Sequence, residues 1–222
     1  MAEVTRISRL GFVNAFLVRE DDGLTLIDTT ITGSAKAILS AADELGAPIV
    51  RIALTHAHDD HVGSLDALAG KLPDAEVIIS TRDSRLLRRD RSLDPGEPQR
   101  KLLPMVTKVK TTPSRTVEAG DRIGSLEVIW SPGHTPGHVA FLDTRDQTLY
   151  CGDVYSTYSG IATSSKVTPR SPLPSLATWD KPMNLESARA LRALQPARLA
   201  PGHGPVIESP GEGMDDAISR VS

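Results

Sequence analysis

The stretch THAHDDHVG, residues 55 to 63, places three histidines and two aspartates in six consecutive positions, from His56 to His61, of a chain with six histidines in all. It follows directly on IVRIAL (49 to 54), an apolar run that reads as a strand, so these polar groups open a loop at a strand's carboxyl end. The same placement recurs. His134 follows LEVIW (126 to 130), Asp153 follows TLYCG (148 to 152), and His203 follows ARLA (197 to 200). In open α/β sheets the loops at the carboxyl ends of strands are where binding groups converge. A fold that collects these ends gathers His56, His58, Asp60, His61, His134, Asp153 and His203 in one place.

The rest of the pattern supplies a scaffold for such a gathering. FVNAFLV (12 to 18) and LTLID (24 to 28) read as a hairpin around the acidic turn EDDG. SAKAILSAADELG reads as a helix with Ile38, Leu39, Ala42 and Leu45 on one face, Ser34 as its cap and Gly46 at its stop. The helix SLDALAGKL, the strand EVIIS and the arginine-rich helix TRDSRLLRRD come next. Residues 92 to 120 read as a surface connection with a short helix around Lys101 to Met105. After the strands HVAFLD and TLYCG, a proline-rich loop from Thr168 to Pro182 leads into a helix from Asn184 to Leu194. Strands and helices alternate in both halves, which predicts an α/β protein whose sheet is covered by helices. A length of 222 residues is served by one domain over residues 1–222.

Composition narrows the partners. Twenty-five Lys and Arg against 28 Asp and Glu leave a formal net charge of -3, so no global positive field draws a nucleic acid or an anionic lipid surface. Cys151 is the only cysteine, which rules out an intramolecular disulfide. No run approaches the ~20 apolar residues of a membrane span, and the start MAEVTRISRLGFVNAFLV lacks the layout of a secretion signal. A cytoplasmic protein acting on a small-molecule substrate is expected, with no nucleic-acid or membrane partner; the oligomeric state stays open.

Neutral imidazole and carboxylate suit zinc, iron or manganese, and a set rich in them without thiolate fits hard or borderline ions rather than a structural zinc finger. Seven groups exceed what one tetrahedral ion uses. His56 and His58, two apart on an extended loop, point the same way and can share one ion, while Asp60 and His61 turn toward another. Two metals are expected, Zn2+ by default, with Fe or Mn allowed.

THAHDDH resembles the HxHxDH signature of the metallo-β-lactamase superfamily, and SPGHTPGH, YCGDVYS and APGHG stand in the order that superfamily shows. The opening hairpin with LIDTT is similar to the family's start, so the resemblance spans most of the chain. It implies an αββα sandwich, one ion on His56, His58 and His134, a second on Asp60, His61 and His203, and Asp153 bridging them.

Two neighbouring cations bring the pKa of a shared water toward neutrality, so the expected reaction is hydrolysis of an ester, thioester, lactone or amide by a bridging hydroxide. Asp60 is the expected proton carrier to the leaving group. Departures weigh on the branch. β-Lactamases of the superfamily generally lack the aspartate that YCGDVYS has, and flavodiiron reductases place a carboxylate where His58 stands. Glyoxalase II proteins usually add a helical C-terminal region, whereas a short tail follows His203. Quorum-quenching lactonases typically carry a tyrosine three residues past the bridging aspartate, where this chain has Ser156. The alternatives are a mononuclear iron oxidoreductase of the persulfide dioxygenase type and a catalytically silent metal-binding module.

Other residues carry weaker signals. His138 and Asp28 are candidates to support ligating imidazoles by hydrogen bonding. Arg82, Arg85, Arg88 and Arg89, interspersed with Asp83 and Asp90, read as a solvated face. Cys151 reads as a small buried side chain, and Tyr155, Tyr158 and Trp179 as candidates to line the pocket.

Overall fold

The computed structural model of the chain describes residues 4–103, 108–167 and 173–221. The first half supplies β1 (Thr5–Arg9), β2 (Val13–Glu20), β3 (Gly23–Ile27), β4 (Ile49–Ala53), β5 (Glu76–Ser80) and β6 (Arg115–Val117). Between them lie helices α1 (Ala35–Glu44), α2 (Asp59–Val62), α3 (Leu65–Ala69) and α4 (Asp83–Leu87). The second half supplies β7 (Arg122–Ile123), β8 (Leu126–Trp130), β9 (Val139–Asp143), β10 (Thr148–Gly152), β11 (Tyr155–Ser156) and β12 (Ala162–Thr163). It closes with α5 (Leu173–Ala177), α6 (Lys181–Ala193), β13 (Arg198–Pro201), β14 (Ile207–Glu208) and α7 (Gly211–Ser219).

Strands β1 to β6 lie side by side in chain order. Strand β2 is antiparallel to both neighbours, whereas β3, β4, β5 and β6 run parallel, so their carboxyl ends share one edge. The second sheet has the order β14-β13-β10-β9-β8-β7. Here β9 is antiparallel to β8 and β10, and β10 is parallel to β13, which again aligns the carboxyl ends of β8, β10 and β13.

Alternation along the strands builds the layers, because successive side chains leave a strand on opposite faces. Phe16, Val18, Ala53 and Ile78 of the first sheet meet Val128, Phe141, Tyr150 and Ala200 of the second in one buried cluster. The intervening residues face outward onto helices. Leu17, Leu26, Ile52 and Ile79 pack with Ile38 of α1, Leu65 and Leu68 of α3, and Leu86 of α4. On the far side Ala140, Leu142, Leu149 and Leu199 pack with Ala188 and Leu191 of α6 and Met214 of α7. The result is an αββα sandwich.

Several local expectations change. Ser34 stands at the cap position of α1, but its side chain makes no capping bond: its backbone has helical angles, and its amide donates to the Ser64 hydroxyl at 2.8 Å. Gly46 does end that helix, at φ +65°. Helix α6 starts at Lys181 instead of Asn184, because Asp180 accepts from the Met183 amide at 2.8 Å and Pro182 fits the first turn. Helix α5 lies within the proline-rich stretch. Residues 101 to 103 are not helical, and the rest of the expected Lys101 to Met105 helix lies outside the described residues. Among the described residues no helix is long and apolar enough to cross a membrane.

Candidate metal centre

Each site residue stands where a strand of the sandwich stops. His56 and His58 follow the end of β4, His58 on extended backbone at φ -78° and ψ 153°, and the short helix α2 then swings Asp60 and His61 round. His134 follows β8, Asp153 follows β10 and His203 follows β13. The first sheet thus supplies four of the seven groups and the second sheet three, across the shared edge.

The structure brings all seven together. Three overlapping sets, His56–His58–His134, His56–His61–Asp153 and Asp60–His61–His203, each have ligand atoms within 4.8 Å of one another. His58 Nδ1 lies 2.9 Å from His134 Nε2. Asp153 stands between the halves, its Oδ2 lying 3.3 Å from His134 Nε2 and 3.2 Å from His203 Nε2, and its Oδ1 3.2 Å from His61 Nε2. Asp60 Oδ2 is 3.2 Å from His203 Nε2, and its side chain, 29% exposed, is the one part of the set that reaches solvent.

A second ring of side chains fixes which nitrogen faces inward. Asp28 accepts from the Thr55 amide and hydroxyl, each at 2.8 Å, and from His61 Nδ1 at 2.7 Å. Because the Thr55 hydroxyl is donated to Asp28, it receives His56 Nδ1–H at 3.0 Å. Thr178 repeats this for His134: its hydroxyl donates to the Pro174 carbonyl at 2.8 Å and accepts from His134 Nδ1 at 3.0 Å. In all three imidazoles the Nε2 lone pair is left for the centre. His138 Nε2 accepts the Asp153 amide at 3.1 Å while its Nδ1–H reaches Ser131, which holds the loop of Asp153. Asp28 and His138 therefore do support the site residues by hydrogen bonding.

Charge divides the cluster. Burial pushes His56, His58 and His134 below the ordinary imidazole value, and neighbouring histidines add to the effect in each. For His61 and His203 burial acts the same way, but Asp153, with Asp28 and Asp60 adding for His61 and Asp60 for His203, outweighs it; His61 rises well above the usual value and His203 to about 9. Burial opposes ionisation of Asp153 and Asp60, yet the facing histidines hold both carboxyls below the usual range. A buried, partly cationic cluster of this kind fits exchange of its protons for metal ions. The orphaned atoms say the same: His56 Nε2, His61 Nε2 and Asp153 Oδ1 are buried without a hydrogen-bond partner and face one another, and imidazole with carboxylate is a donor set for zinc, iron or manganese.

The arginine-rich face needs correction. Asp83 is fully buried, and the Arg82 side chain is only 9% exposed, paired with Glu97 at 2.6 Å. Arg85 reaches Asp90 at 3.0 Å and Asp94 at 2.9 Å, so two of the four arginines fasten the following loop instead of facing water. Tyr155 is buried against α6, its hydroxyl donating to the Ala188 carbonyl, and does not line the site. Trp179 donates from its indole to the Arg100 carbonyl and from its amide to the His134 carbonyl, which makes it an anchor of the His134 loop. Tyr158 lies near the centre, edge-on to Phe12, whose ring stacks on His203 at 6.0 Å. Cys151 is buried between sheet and helix. The sequence reading missed Asp83, Thr55, Thr178 and Asn14 as supports; Thr55, the polar residue directly after the strand IVRIAL, carried the available signal.

A family model described as the metallo-beta-lactamase superfamily matches residues 8–203. The chain belongs to this superfamily. It is 46% identical over 210 residues to the uncharacterized protein YobT of Bacillus subtilis (strain 168), covering 94% of this chain and 90% of YobT. It is 34% identical over 119 residues to the hydroxyacylglutathione hydrolase of Synechococcus sp. (strain JA-2-3B'a(2-13)), covering 54% of this chain and 40% of that enzyme. A solved structure, TTHA1623 in a di-iron-bound form, superposes with a TM-score of 0.66 at 29% identity over 95% of this chain and 96% of the other.

Proposed function

We propose that this metallo-β-lactamase-superfamily protein is a dinuclear metal-dependent hydrolase of a small acyl substrate, an ester, thioester or lactone. The observation that carries the reading is the convergence of seven imidazole and carboxylate groups on three overlapping triads with orphaned ligand atoms at their centre. His56, His58 and His134 would hold one ion and Asp60, His61 and His203 the other, with Asp153 shared. Such ions supply a Lewis acid for a carbonyl oxygen and lower the pKa of a coordinated water. Zinc is the default occupant; the di-iron form of TTHA1623 supports iron as an alternative.

The chain's own groups do the rest. Asp60 is the member of the set open to solvent, so its carboxylate can take a proton inside the cluster and release it to a leaving group at the mouth. Phe12 on His203, with Tyr158 (54% exposed) against it and Leu10 (70% exposed) two residues away, gives that mouth an apolar rim suited to an acyl group. The relative named hydroxyacylglutathione hydrolase supports acyl hydrolysis as the reaction class.

Elemental analysis together with a screen of lactones, thioesters and β-lactams tests the proposal. Close to two transition-metal ions per chain and hydrolysis of one acyl class, lost in Asp60→Asn, are expected. One tightly held iron with oxygen uptake and no hydrolysis would replace the hydrolase by an oxidoreductase.

A further inference from the structure

Asp83 opens α4 at the carboxyl end of β5 and is wholly buried. Its Oδ2 accepts from the Ala57 amide at 3.0 Å and the Thr135 hydroxyl at 2.8 Å, and its Oδ1 accepts from the Gly137 amide at 2.9 Å. None of these donors belongs to a proposed ligand. Yet Ala57 lies between His56 and His58, and Thr135 and Gly137 follow His134, so one carboxylate grips both loops that carry the three-histidine half. Its own seat is fixed as well: the Asp83 amide donates to the Ser80 hydroxyl at 3.0 Å, and that hydroxyl donates to the Gly137 carbonyl at 2.5 Å. The fit is close, since a Cβ on Gly137 would lie 2.7 Å from Asp83 Oδ1.

The other half is gripped from elsewhere. Asn14 at the start of β2 donates from Nδ2 to the Pro201 carbonyl at 2.9 Å and the Gly204 carbonyl at 2.6 Å, and its amide donates to Gly202 at 2.8 Å. These bonds span the loop of His203. They share no residue with the bonds of Asp83.

We propose that Asp83 is a positioning residue for the His56–His58–His134 half of the centre, acting on the backbone of two loops at once and independently of the half that Asn14 secures. The proposal rests on the metal-binding reading above. Charge-assisted hydrogen bonds to a buried carboxylate are strong and directional, and outer partners of ligands typically govern metal affinity by about ten- to hundredfold. An asparagine at position 83 can keep the Ala57 and Thr135 bonds through its amide oxygen, but it then sets its NH2 against the Gly137 amide.

The test measures Zn2+ affinity by competition with a chromophoric chelator in two backgrounds, His203→Ala, which keeps the three-histidine half, and His134→Ala, which keeps the other. Asp83→Asn is expected to weaken binding about ten- to hundredfold in the first background and by less than about twofold in the second. Asn14→Ala is expected to leave the first background within about twofold and to weaken the second. A general loss of fold would lower both backgrounds together; equal losses, or none, overturn the proposal. If Asp83→Asn gives no folded protein by circular dichroism, Thr135→Val removes one donor at constant shape. It should show the same selectivity at about three- to tenfold, and a loss without selectivity is again fatal. Wild-type protein with no affinity for Zn2+ or Fe2+ overturns the metal reading, and this proposal with it. Wild-type protein that binds normally beside an unselective Asp83→Asn removes the proposal alone.

Discussion

Replacing Asp28 by asparagine should turn one proposed ligand around without replacing it. Asp28 sits at φ +58° just past β3, and both its oxygens are engaged by fixed donors: Oδ1 by the Thr55 amide, Oδ2 by the Thr55 hydroxyl and by His61 Nδ1. The backbone N–H of Thr55 cannot reverse, so an asparagine must give it the carbonyl oxygen and place NH2 where Oδ2 was. His61 Nδ1 then becomes an acceptor, its proton moves to Nε2, and the lone pair 3.2 Å from Asp153 Oδ1 is lost to the centre. Each charge-assisted bond forfeited is worth about 1.5–3 kcal/mol. At about 1.4 kcal/mol per factor of ten, Zn2+ binding to the Asp60–His61–His203 half should weaken by about ten- to hundredfold. Chelator competition reads the affinity, and nitrogen NMR of the imidazoles reads the tautomer of His61. Unchanged affinity for both ions, with the proton still on Nδ1, would refute the argument.

Three further outcomes are expected. Burial pushes the His138 imidazole down to about 3, so the unfolded chain takes up this proton below about pH 6.5 and the folded chain only near pH 3. The contribution is complete above pH 6.5 and is lost as the pH falls, by up to about 5 kcal/mol; urea unfolding of chelator-treated protein should show this slope, and His138→Gln should flatten it. In Gly202→Ala a new Cβ would collide with Asp153 Oδ1 and lie 2.6 Å from His61 Cε1, destabilising the fold by ~1–3 kcal/mol and ejecting bound metal; full metal content by elemental analysis would contradict it. Asp180→Ala removes the cap of α6 and should cost about 1 kcal/mol, which calorimetry would register as a fall of ~2–4 °C in Tm.

The ligand loops and the strands feeding them were legible because both rest on short-range patterns: an apolar run that stops, then a histidine. IVRIAL, LEVIW and TLYCG each reappear as strands with the expected residue at the end. Strands β1, β7 and β14 were illegible for the opposite reason. TRISR alternates with charge, β7 and β14 are two residues long, and only pairing with neighbours makes them strands. The supports of the site were hidden differently. Asp28 was visible as the carboxylate that ends the strand LTLID and His138 as a neighbour of the His134 loop, but Asp83 lies 26 residues from Ala57 and 52 from Thr135, and a buried aspartate amid arginines looks like a surface acid until the sandwich closes over it. The pairing of Asn14 with the His203 loop spans 187 residues or more and leaves no local trace.

The division of the seven groups between the sheets reaches beyond catalysis. Residues up to Val117 make one slab and residues from Arg122 to Glu208 the other, and neither slab owns a complete triad, since each of the three takes two groups from the first slab and one from the second. Any cation seated among them acts as a rivet through the seam, tightening only after the slabs have met. Its grip is then a gauge of how faithfully the two halves of the chain have come into register.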